Sequence, residues 1–120
     1  TRKIMHCPEL AIAATTVRVP VFRSHSESIN LETTKELSVA EVKQILSQAP
    51  GVVLQDDPQN NPYPMPLYTS DTDEVYVGRI RKDISTDKGL VLWVAADQIR
   101  KGAATNAVQI AKIVVDKNLY

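Results

Sequence analysis

Cysteine is almost missing from this sequence. With one such residue, Cys7, in 120, no internal disulfide can form, and the composition fits a reducing, cytoplasmic setting. A surplus of charge is missing too. Fourteen basic residues balance 14 acidic ones, so no field gathers nucleic acid or an anionic lipid surface, and neither is expected as a partner. No apolar run nears the roughly 20 residues a membrane-spanning helix needs. The start, Thr1-Arg2-Lys3-Ile4-Met5-His6-Cys7, lacks the apolar stretch of a secretory signal. Metal-ligand spacing is missing as well: His6-Cys7 and a distant His25 do not form a recognised set, so no metal is expected. There is no internal repeat and no low-complexity segment.

What is present suffices for one hydrophobic core. The apolar fraction is 43% over 120 residues, which makes one domain or part of a larger one. The chain has no initiator methionine, and residues 1–6 read like the last turn of a helix. The expectation is a fragment of a longer protein. Pro8 then disfavours helix at Cys7. Residues 10–19, rich in β-branched and small side chains, predict a strand, with Pro20 as an edge or break.

Residues 21–34 alternate. One face carries Val21, Arg23, His25, Glu27, Ile29 and Leu31. The other is wholly polar from Ser24 to Glu32, so it faces water or another subunit. Residues 38–48 form the clearest helix. Ser38 and Glu41 make a capping box, Val39, Val42, Ile45 and Leu46 make an apolar stripe, and Pro50-Gly51 stops it. A short strand follows at residues 52–54. Residues 55–69 hold four prolines, Pro58, Pro62, Pro64 and Pro66, within nine positions. That density predicts an extended loop wrapping a surface and excludes helix. Residues 74–82 and 90–96 predict two strands of an antiparallel hairpin. The second is continuously apolar and therefore central. A turn over residues 97–101 leads into a last helix, residues 102–117, with Ala104, Val108, Ala111 and Val115 along one stripe. The fold class is α+β: a mixed, largely antiparallel sheet with helices packed on one face and a C-terminal helix.

Chemistry centres on Thr16-Val17-Arg18-Val19-Pro20-Val21-Phe22-Arg23-Ser24-His25-Ser26-Glu27. Arg18 can grip a carboxylate through its planar fork. His25 carries a proton either way near neutral pH. Each also has a plain reading: Arg18 as an ion-pair partner, and His25 as a half-buried strand residue satisfied by Glu27 or a backbone carbonyl. Cys7 lacks the setting of an activated thiol and reads as a small core residue. Arg79, Arg81 and Lys82 read as a solvated or salt-bridged strand end, or as a charged wall near an anionic site or interface. Gly102-Ala103-Ala104 at a helix start permits close approach of a ligand or backbone.

Taken in order, several segments resemble the C-terminal part of the aspartate-semialdehyde dehydrogenase family. They are Val17-Arg18-Val19-Pro20-Val21 with Ser24-His25-Ser26-Glu27, and Val77-Gly78-Arg79-Ile80-Arg81-Lys82-Asp83. Leu92-Trp93-Val94-Ala95-Ala96-Asp97-Gln98 follows, then Lys101-Gly102-Ala103-Ala104-Thr105-Asn106-Ala107-Val108-Gln109-Ile110-Ala111. The resemblance covers nearly the whole chain. It implies an enzyme that reduces aspartyl phosphate to aspartate semialdehyde with NADPH, releasing phosphate, on the route to lysine, threonine and methionine. In that family a cysteine thiolate forms a thioester, which hydride then reduces.

On this resemblance His25 is the acid/base residue, Arg18 holds the substrate α-carboxylate, and Gln98 contacts the NADP cofactor. It also implies that residues 1–120 are part of the catalytic and dimerisation domain, pairing as a homodimer or homotetramer. The dinucleotide-binding domain and the nucleophilic cysteine then lie outside these residues, and the fragment alone is expected to be inactive. A competing reading is a stand-alone α+β interaction or small-molecule-binding domain with a structural His25.

Overall fold

The computed structural model describes residues 1–60 and 62–120. Its frame is a four-stranded mixed sheet of β1 (His25–Glu32), β2 (Val52–Leu54), β3 (Val75–Lys82) and β4 (Gly89–Ala96), in the order β1-β4-β3-β2. β4 is internal and runs antiparallel to both neighbours, while β2 runs parallel to β3. The predicted hairpin and central strand are therefore present, and the α+β class holds.

α1 (Val39–Ser47) starts where the capping box places it. The Glu41 amide donates to Ser38 Oγ at 3.2 Å, and the Ser38 amide donates to the Glu41 carboxylate at 2.7 Å. Its Val42 meets Val77, Ile80 and Leu90 in the buried core, flanked by Leu31, Leu46, Val52 and Leu92. The strand periodicity puts these side chains on one face of the sheet.

The proline-rich segment covers the other face. The Trp93 indole donates to the Pro64 carbonyl at 3.0 Å. At Gly78, the cross-strand partner of Trp93, a Cβ would stand 2.1 Å from the Gln55 carbonyl oxygen and 2.8 Å from Pro64 Cδ. Only glycine permits that approach. Within the segment, Asn61 lies outside the described residues. One expectation fails here: Pro66 opens a one-turn helix, α2 (Pro66–Thr69). Proline excludes helix interiors, but its fixed φ and missing N–H suit the first helical position, which Pro66 occupies.

The strand predicted over residues 10–19 does not form; the segment runs without regular structure and is largely exposed. β propensity expresses itself through ladder bonds and packing, and no strand of the sheet pairs with this segment. Pro20 has no strand before it to end; the Val21 amide donates to the Val19 carbonyl at 2.9 Å around it. β1 accordingly begins only at His25, after Ser24 in the left-handed region (φ 73°). Residues 1–7 close with the geometry of a helix C-terminus. His6 has φ 50°, its amide bonds the Lys3 carbonyl, and the Cys7 amide bonds the Arg2 carbonyl. Cys7 is exposed there, not a core residue, because a single terminal turn offers nothing to bury it.

The last helix begins earlier than expected, with a π turn, Arg100–Ala104, before α3 (Thr105–Asp116). Its apolar stripe is bare: Val108 is 70% and Val115 61% exposed. No helix among the described residues is long and apolar enough to cross a membrane.

Candidate active site

The register of β1 against β4 decides what meets at the upper end of the sheet. His25 opens β1 opposite Ala96, the last residue of β4. Asp97 and Gln98 follow directly. His25 is thus brought beside the turn that carries Gln98, although 73 positions separate them in the chain. His25 shares the α1 face with Val94 and Ala96, on the edge strand away from the β2 and β3 side that α1 packs on, and is exposed. Gln98 is half-buried, and its side-chain oxygen is buried without a hydrogen-bond partner. An unpartnered buried acceptor costs stability. Arg18 lies exposed in the irregular segment, apart from this pair.

Asp97 is the hub of the turn, and sequence reasoning assigned it no role. Its carboxylate is fully buried and accepts four hydrogen bonds. One oxygen takes the amides of Ile99 at 2.9 Å and Arg100 at 3.2 Å. The other takes Arg23 Nη2 at 2.7 Å and the Asp71 amide at 2.8 Å. The first pair is N-cap geometry, and the Lys101 amide returns to the Asp97 carbonyl at 2.9 Å. Gln98 is therefore the first residue of a capped helical run. Burial pushes the Asp97 carboxyl up, but the amides of Asp71, Arg100 and Ile99, with the Arg23 charge, outweigh it. The group is held below the usual carboxylate range.

Arg23 spans two carboxylates, pairing with Asp71 through its other terminal nitrogen. Nearby, Arg100 Nε donates to Asp73 at 2.6 Å, and the Thr105 hydroxyl joins it at 3.1 Å. Below Arg23, the buried Ser24 hydroxyl accepts from Thr69 at 2.9 Å, tying the start of β1 to α2. A sequence signal for Asp97 did exist, since an aspartate directly before a helical run is an N-cap pattern.

The basic run resolves differently. Lys82 pairs with Glu36 at 2.8 Å, as the salt-bridged reading expects. Arg79 sits on a β-bulge with φ 55°. The Asp56 carboxylate, nearly buried, accepts the amides of Arg79 and Ile80 at 2.9 and 3.2 Å and pairs with Lys43 of α1 at 2.9 Å. The bulge is thereby satisfied without a ladder partner. No group of three or more acidic, histidine or cysteine side chains able to hold a metal exists among the described residues.

Residues 1–101 match the family model described as semialdehyde dehydrogenase, dimerisation domain. The chain belongs to the semialdehyde dehydrogenase family, as its dimerisation domain. An aspartate-semialdehyde dehydrogenase of Aquifex aeolicus is 58% identical over 119 residues, covering 99% of this chain and 35% of the relative. Aspartate semialdehyde dehydrogenase II of Vibrio cholerae, solved as a complex with ASA, superposes with a TM-score of 0.82 at 41% identity, over 96% of this chain and 34% of that one. The Candida albicans enzyme, solved with NADP, gives 0.66 at 29% identity, over 86% and 33%. The dimerisation domain seen here thus spans about a third of the length of the curated relatives it matches, 35% in the Aquifex case.

Proposed function

We propose that this dimerisation domain serves an NADP-dependent aspartate-semialdehyde dehydrogenase, which converts aspartyl phosphate to aspartate semialdehyde and phosphate. The observation that carries the proposal is the likeness to such enzymes along nearly the whole chain. The thiol nucleophile and the main dinucleotide-binding surface belong to the remainder of the longer protein. These 120 residues alone give no turnover.

In this reading Arg18 grips the substrate α-carboxylate with its two-pronged guanidinium. His25 takes the proton from the attacking thiol and returns one to the developing oxygen of the hemithioacetal. Gln98 contacts the cofactor from the turn after β4. NADPH, when bound, supplies the hydride. Positioning of this kind accounts for a large share of an enzyme's rate gain. A second copy of the domain completes a homodimer, or two such pairs a homotetramer. The polar outer positions of β1, Ser28, Asn30 and Glu32, together with the proline-rich segment, are the surface offered for that contact.

The test is His25→Ala in the full-length protein. Turnover should fall by roughly 10²- to 10⁴-fold, the range for an acid/base group, with the far-ultraviolet circular dichroism unchanged. Normal turnover would sink the assignment and leave His25 a structural strand residue. Arg18→Lys should chiefly raise the Michaelis constant for substrate, because the fork is lost.

A further inference from the structure

We propose that Asp97 and Arg23 act as one positioning device, a buried carboxylate–guanidinium link that sets the proton carrier His25 and the cofactor-side Gln98 in register with each other. The inference rests on the function proposed above for those two residues. Arg23 stands two positions before His25, and Asp97 immediately precedes Gln98. The 2.7 Å bond between them joins the two segments just outside the last strand pair, His25 with Ala96. No β1–β4 ladder bond reaches beyond that pair, so the link is what joins the two segments there directly.

The two oxygens of Asp97 divide the work. One holds the amides of Ile99 and Arg100, which fixes the backbone on the far side of Gln98. The other holds Arg23 and the Asp71 amide, which fixes the entry to β1. Arg23 in turn reaches Asp71, so three chain segments converge on one carboxylate. The carboxylate is fully buried and the Arg23 side chain is 32% exposed, so water screens the contact far less than a surface ion pair. A buried pair is a poor device for stability alone but a good one for geometry.

The division predicts a kinetic split. In the full-length protein, Asp97→Asn replaces one acceptor oxygen with a donor and cannot serve both sides. It should lower kcat by about tenfold or more and also raise the Michaelis constant for NADPH, since misplacement near 1 Å costs on the order of 10²-fold. Arg23→Met leaves the Ile99 and Arg100 amides on Asp97. It should lower kcat by about tenfold while the NADPH constant moves less than about twofold. Arg23→Lys, a point charge able to reach one carboxylate, should recover part of the loss.

All rates are taken per folded protein, so a variant that merely unfolds shifts neither constant. If Arg23→Met leaves kcat unchanged, or if Asp97→Asn folds and leaves both constants unchanged, the link is structural and the inference fails. Should Asp97→Asn not fold, the two Arg23 variants decide the matter alone. His25→Ala, measured alongside, separates the two ideas. Lost turnover there with unaffected Arg23 variants rejects only the link. Retained turnover there rejects the functional reading beneath it.

Discussion

The two ends of the sheet are built from different materials. Toward the end that holds Leu90, Val42, Val77, Ile80 and Leu90 pack together, with Leu90 only 2% exposed. At the opposite end of β1, the same face carries exposed His25 and Glu27. Order there comes from charge and hydrogen bonds around Asp97, not from apolar burial. Burial is non-directional and forgiving, whereas a carboxylate with four donors fixes positions narrowly. The first end holds the fold, and the second holds a geometry. The second also leaves apolar surface bare nearby, as at Phe22 and along α3, in keeping with a domain that spans about a third of its relatives' length.

That contrast can be broken from either side. Leu90→Ala should have the largest effect on stability, about 2–5 kcal/mol for a buried leucine, read as a lower urea midpoint with both ends melting together. Gly78→Ala forces a methyl group against the Gln55 carbonyl and Pro64 and should cost about 1–3 kcal/mol. Its signature is loosening of the proline-rich segment, seen as faster proteolysis there.

Acid should act on the other end first. The Asp97 carboxyl is held below its usual range, so its contribution to stability is intact above the ordinary aspartate value of about 4. It is lost as the pH falls through the lower folded value. Amide signals of Asp71, Ile99 and Arg100 should therefore shift on acidification before those of Val42 and Val77; the reverse order would erase the contrast. The smallest effect expected is from Ser38→Ala, about 1 kcal/mol for a lost N-cap, confined to α1 and measurable as a shift in thermal midpoint.

Local signals were legible in the sequence and distant ones were not. The capping box of Ser38 and Glu41, the hairpin of β3 and β4 and the stop at Gly51 (φ 71°) are each written within a few neighbouring residues. Residues 10–19 misled because strand propensity needs a partner, and which strands pair is a long-range fact. Pro66 misled because the same residue that breaks a helix interior can open a helix. His25 and Gln98 are singled out with the help of the family resemblance, and their adjacency depends on a strand register joining distant parts of the chain. The role of Arg23 was hidden for the same reason: its partners, Asp71 and Asp97, lie 48 and 74 residues away.

The bond from Trp93 to Pro64 gives the protein a built-in optical probe. Trp93 is the only tryptophan, it is half-buried, and its indole nitrogen is tied to the segment that covers the sheet. Tryptophan fluorescence therefore reports on one place alone. When the proline-rich cover lifts, by unfolding or by contact with a second copy, the indole exchanges a carbonyl partner for water and its emission moves to the red. No dye or label is needed to follow that event.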